Sequence, residues 1–196
     1  MKTALGALGA VFLGLALALA TTSPALADQD NVKVMAAADL TSLHAFDQRV
    51  GKWHVRHRRL KERLAGDTRW EDFTGEQVWW TTLDGRGNAD DNLLRLPDGD
   101  YYGFTVRAYD AATGLWAIWW LDSRNPHGPL DPPMKGRFVD GVGAFYADDT
   151  LRGKPIKVRF IWSNITATSA HWEQAFSPDG GKTWETNWYS DFSKAD

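Results

Sequence analysis

From residue 52 onward, apolar side chains recur at every second position, and the runs that carry them are rich in Trp, Tyr, Phe, Val, Ile and Thr. Turn residues separate the runs. They stand at Asp84-Gly85, Gly87-Asn88, Pro97 to Asp100, Asp110 to Gly114, Asp140-Gly141 and Pro178 to Gly181. Strands are therefore predicted over 52–61, 69–83, 89–96, 101–109, 115–122, 134–139, 143–151, 156–163, 169–177 and 183–192. About ten strands joined mostly by short hairpins specify an all-β antiparallel fold, a sandwich or a barrel. The absence of a long crossover favours an up-and-down barrel. Ahead of the strands, Leu40, Leu43 and Phe46 follow a three-residue spacing behind a capping Asp39 or Thr41, which predicts one short helix ended by Gly51. No internal repeat and no second linker divide 39–196, which reads as a single domain.

The first residues follow a different pattern. Lys2 is followed by an uncharged Ala/Leu/Gly-rich run over 4–20 and by Ala25-Leu26-Ala27. Charge, apolar run and small-x-small site in that order predict a signal peptide over 1–27, with export to the periplasm or beyond the cell. The run is short and rich in Ala and Gly, which argues against a retained membrane anchor. No integral membrane segment is expected after cleavage. Residues 28–38 read as a flexible linker.

Composition changes the picture in two ways. The chain has 11 Trp, 5 Tyr and 9 Phe but no Cys, so an exported domain has to be held by packing rather than by disulfides. The net charge is −3, which argues against nucleic acid as a partner, because phosphate binding needs a basic surface. Oligomeric state is not encoded in these features.

Sorting strand residues by face gives the candidate sites. Ile156, Val158, Phe160 and Trp162 share one face, as do Ala170, Trp172, Gln174 and Phe176, and Trp184, Trp188 and Phe192. Arg159, Glu173, Glu185 and Asn187 fall together on the opposite side. The preferred reading turns that polar side to water and the aromatic side to a core or cavity. The strand from Lys52 to Lys61 carries charge on both faces: Trp53, Val55, His57 and Arg59 on one, His54, Arg56 and Arg58 on the other. The proline-rich segment from Ser123 to Pro133 admits neither helix nor ladder strand and is expected to be a loop at one barrel end.

Two motifs are structural. Gly51-Lys52-Trp53, opening a strand after a helical turn, matches the G-x-W start of lipocalin-like barrels, in which Trp plugs the closed end. Ser177-Pro-Asp179-Gly-Gly181-Lys-Thr183-Trp184 matches the Asp-box hairpin S-x-D-x-G-x-T-W. Such boxes recur in sialidase propellers; here one occurs without a blade period, which argues against a propeller. Metal binding lacks support, since His54 and His57 point to opposite faces. No cofactor is indicated, although a haem needs only one His. No G-x-S-x-G signature supports a serine hydrolase.

Val50 to Gly66, Asp122-Ser-Arg124, Leu130-Asp-Pro-Pro133 and Trp172 to Trp188 resemble an uncharacterised bacterial family, domain of unknown function 1579. The resemblance spans nearly the whole chain after the leader. It implies a lipocalin-like (calycin) barrel and carries no catalytic residues. The leading functional expectation is an exported barrel that binds a small, largely apolar molecule in an aromatic-lined cavity. Trp53, Trp79, Trp120 and Trp172 are the expected contact surfaces, with His57 or Arg124 as polar anchor. Two alternatives stand beside it. One is an enzyme using Arg59, Glu173, Glu185 and Tyr189 for acid–base chemistry inside the barrel. The other is a carbohydrate-binding module presenting a flat row of exposed Trp.

Overall fold

The computed structural model describes residues 41–196, so the expected leader, the linker and the first two helix residues lie outside the described residues. Ten strands follow one another: β1 (Gly51–Leu60), β2 (Trp70–Thr82), β3 (Gly87–Leu96), β4 (Gly99–Asp110), β5 (Leu115–Asp122), β6 (Met134–Val139), β7 (Val142–Leu151), β8 (Lys154–Ser163), β9 (Ser169–Ser177) and β10 (Glu185–Lys194). Each pairs antiparallel with its neighbour in sequence, and β1 pairs with β10, so the sheet closes without an edge. This is the up-and-down barrel expected from the hairpin pattern. The short helical segment expected before it is present among the described residues. Residues 41–43 are helical and Asp47–Arg49 form a 3-10 turn, after which Gly51 takes φ +113° to swing the chain into β1.

One end of the barrel is filled. Phe46 is buried and inserts its ring edge-on against Trp116, Phe138 and Trp162, with centroids 5.3, 4.9 and 5.7 Å away. The N–H of Trp116 reaches the carbonyl of Ser42 at 2.8 Å, and the N–H of Trp53 reaches that of Arg49 at 2.6 Å. Two aromatic donors thereby satisfy the carbonyls of the entering segment. Lys194, at the end of β10, donates to the carbonyl of Val50 and lies 4.6 Å from the Trp53 ring centre. The Arg49 guanidinium is wedged beneath, 3.9 Å from the Trp53 ring and 4.2 Å from Phe192. Burial, more than any other factor, lowers the Arg49 pKa to about 9, so it remains a cation at neutral pH.

The Asp-box turn between β9 and β10 is built as its residues dictate. Ser177 donates to Asp179 at 2.7 Å and accepts the Gly181 N–H at 2.8 Å. Asp179 accepts the Thr183 hydroxyl at 2.6 Å and the N–H groups of Thr183 and Lys182 at 2.9 and 3.0 Å, and these bonds, the hydroxyl's above all, hold its carboxyl far below the usual range. Trp184 closes the turn by donating to the Gly181 carbonyl at 3.0 Å. It does not lie on the inward apolar face where strict alternation puts it. It sits outside the barrel, with the Arg159 guanidinium 4.7 Å from its ring and Tyr146 6.1 Å away.

The reason is a bulge. The β9–β10 register shifts between Thr186 and Trp188, so Trp188 faces Gln174 while Thr186 faces Ala175. One extra residue, Asn187, reverses the alternation that the sequence assumes. Asn187 is fully buried and accepts from Gln174 at 2.9 Å, which removes it from the side shared by Arg159 and Glu173.

Candidate functional site

Below the open end, the inward residues of the strands leave a cavity of about 250 Å³. Its middle is aromatic: Phe160, Trp172 and Trp188 stand around it, with Trp172 edge-on to Phe160 at 5.0 Å and to Trp188 at 5.8 Å. Trp120 completes the wall from β5, and its position is set by Gly103 on the neighbouring β4. A Cβ at Gly103 would lie 2.0 Å from the Trp120 ring, so only glycine admits the indole there. The loop over 123–133 contributes Asp131 and Pro132 at the mouth.

The floor is polar. Gln77, Asn92, Thr105 and Arg107 come from β2, β3 and β4, where period-two positions point inward. Arg107 is paired with Asp90, and it also donates to Asn88 at 3.1 Å. Asn92 donates to Asp90 and accepts from Gln77, whose carbonyl oxygen receives the Trp79 N–H at 2.7 Å. The Arg107 guanidinium lies over Trp79, 3.9 Å from its ring centre. Burial lowers the Arg107 pKa, opposed by Asp90. Acceptors on this floor are thus largely occupied by donors of the protein itself; Asp90 is ion-paired with Arg107, and Arg49 donates to Gln77 at 3.4 Å.

His57 belongs to the wall. Its Nδ1 lies 2.8 Å from the Ser190 hydroxyl and receives the Trp188 N–H at 3.3 Å. An indole N–H only donates, so Nδ1 is an acceptor and the proton resides on Nε2. The ring stacks on Phe73 at 4.7 Å and lies against Gly75, where a Cβ would come 2.8 Å from Nε2. Burial, helped by the charge of Arg59, lowers its pKa to about 3, so the imidazole is neutral across the physiological range.

Of the six residues expected to contact a ligand, the structure brings His57, Trp120 and Trp172 to this cavity. Trp53 and Trp79 are buried in the closed end, where they pack against Arg49 and Arg107. Arg124 stands at the mouth, in a depression with Arg59, Lys61, Arg63 and Tyr101 that shares Trp120 and Trp188 with the cavity. The four residues grouped for acid–base chemistry are separated, because the barrel wall and the bulge divide them. Arg59 is at the inner mouth, paired with Glu71 at 3.0 Å. Glu173 and Tyr189 oppose each other across the outer face, where Tyr189 stacks on Trp70 at 5.4 Å. Glu185 accepts the N–H of Leu64 at 2.7 Å and pins the β1–β2 loop. A flat row of tryptophans is likewise not formed: among the described residues Trp80 is the one that is exposed.

No family model matches the chain, and no curated protein matches it. Among solved structures it is similar to the S-type phycobiliprotein lyase CPES from Guillardia theta, at 12% identity over 84% of this chain and 97% of that one, with a TM-score of 0.54. A second similarity is to EF1p2_mFAP2b bound to DFHBI, at 10% identity over 79% of this chain and 99% of that one, with a TM-score of 0.43. The likeness to the lyase is one of fold: this chain is a lipocalin-like antiparallel barrel.

Proposed function

We propose that the protein binds a small, flat, largely apolar molecule inside its barrel. The observation that carries this reading is the cavity of about 250 Å³ bounded by Phe160, Trp120, Trp172 and Trp188. These rings meet one another edge to face and turn apolar surface to the cavity, where a planar guest gains dispersion and apolar burial. The closed end is fully packed by Phe46 and its neighbours, so the guest enters from the mouth. The residues grouped for acid–base chemistry do not converge, and Trp80 is the one exposed tryptophan among the described residues, which supports binding in the cavity over either alternative. With the expected leader, this binding takes place in the periplasm or outside the cell. Titration with 1-aminoanthracene, an uncharged planar fluorophore, tests the proposal through tryptophan quenching. Saturable one-to-one quenching is the expected result; its absence up to the solubility limit of the probe refutes the reading.

A further inference from the structure

We infer that the barrel mouth is an oxyanion seat, in which Arg59, Lys61, Arg63 and Arg124 hold the phosphate or carboxylate head of a ligand whose flat body occupies the cavity. The inference rests on the binding reading above and adds the chemical class of the ligand. Four cations and one carboxylate, Asp122, line this depression, although the whole chain carries a net charge of −3. The concentration of positive charge is therefore local and opposes the sign of the molecule. Arg124 is engaged by Asp122 and Arg59 by Glu71. Among the described residues no carboxylate lies within ion-pair distance of Lys61 or Arg63, and the buried Nε of Arg63 has no hydrogen-bond partner.

The cations are held in place by neutral surfaces. Arg124 lies 3.7 Å from the Tyr101 ring, and Arg59 lies 5.2 Å from both Phe73 and Trp188. The loop carrying Lys61 and Arg63 is tied down at both sides. Arg152 donates to the Arg63 carbonyl at 3.0 Å and to Glu62 at 2.6 Å, while Glu185 receives the Leu64 N–H. Burial first, and repulsion from Arg59 second, lower the Arg63 pKa. An anion placed among them relieves that repulsion. The cavity rim itself carries Asp131, Asp149 and Asp148, the last paired with Lys157 at 2.6 Å, so an anionic head is directed to the basic depression. Trp120 and Trp188 border both spaces, which makes the path from seat to cavity continuous.

The test compares 1-naphthyl phosphate and 1-naphthoate with uncharged 1-naphthol, on wild type and on Lys61→Gln/Arg124→Gln. Both substituted side chains are exposed, so the fold is retained. At low salt either anion is expected to bind at least about tenfold more tightly than 1-naphthol, and the advantage shrinks to about threefold or less in the double variant and in high salt. The two anions together tell a phosphate from a carboxylate head. If 1-naphthol binds as tightly as the anions, or if the anion advantage survives the double variant, the oxyanion seat is wrong while the cavity reading stands. If neither anion binds but 1-aminoanthracene does, the same holds. If none of the four binds, both readings fall.

Discussion

Asp90 on β3 and Arg107 on β4 form an ion pair on the barrel floor with both side chains buried, and the Arg107 guanidinium covers the Trp79 ring. Removing one partner strands a charge in a low-dielectric interior. Arg107→Met and Asp90→Leu are each expected to cost about 3–5 kcal/mol of stability. The double variant restores apolar packing and is expected to lose much less than the sum of the two. Urea denaturation of the three variants checks the cycle, and additive losses would contradict the coupling.

His57 is buried neutral, with its pKa lowered from 6.5 to about 3. Between those values the unfolded chain binds a proton that the folded chain refuses, so this residue makes stability fall as pH falls below about 6.5. By pH 5 the loss reaches about 2 kcal/mol. His57→Phe keeps the ring stacked on Phe73 and removes the titration. Its stability difference from wild type, measured by denaturation at pH 7 and pH 5, is expected to shift in favour of the variant at the lower pH. An unchanged difference would show that His57 accepts its proton readily in the folded protein.

Gly103 leaves room for Trp120 on the cavity wall, where a Cβ would meet the indole at 2.0 Å. Gly103→Ala therefore displaces the indole before it disturbs the backbone ladder. The expected outcome is a modest stability loss, about 1–3 kcal/mol, with altered tryptophan emission and weakened binding of 1-aminoanthracene. Unchanged binding would remove Trp120 from the site.

Ser177 is buried in the Asp-box turn and satisfies the Gly181 N–H. Ser177→Ala is expected to cost about 1–2 kcal/mol and to leave ligand affinity unchanged. Thermal denaturation and the same titration separate the two effects.

The ten strands were legible because hydrophobic alternation and turn residues mark antiparallel hairpins directly, and the bounds of β5, β6 and β9 coincide with the residues that alternation selects. Half of the expected ligand contacts reach the cavity. Trp53 and Trp79 do not, since periodicity gives the face of a residue but not its height along the barrel axis. The polar floor went unread for a related reason. Gly87-Asn88 looks like a turn, yet β3 begins there, and Asn88, Asp90 and Asn92 are inward positions of a strand. Alternate polar residues beside Tyr101, Thr105, Arg107 and Tyr109 of β4 are the signal that exposes this network. The bulge at Asn187 left no local signature, and it moved Glu185 and Trp184 away from the faces that alternation assigned.

Filling the cavity tests the central claim most directly. Val158 lines it from β8, next to Phe160, and Val158→Trp places an indole in the space a guest would occupy. Fluorescence titration with 1-aminoanthracene is expected to give saturable one-to-one binding for wild type and at least about tenfold weaker binding for a folded Val158→Trp protein. Equal binding by the two proteins, or no saturable binding by wild type, would contradict the account.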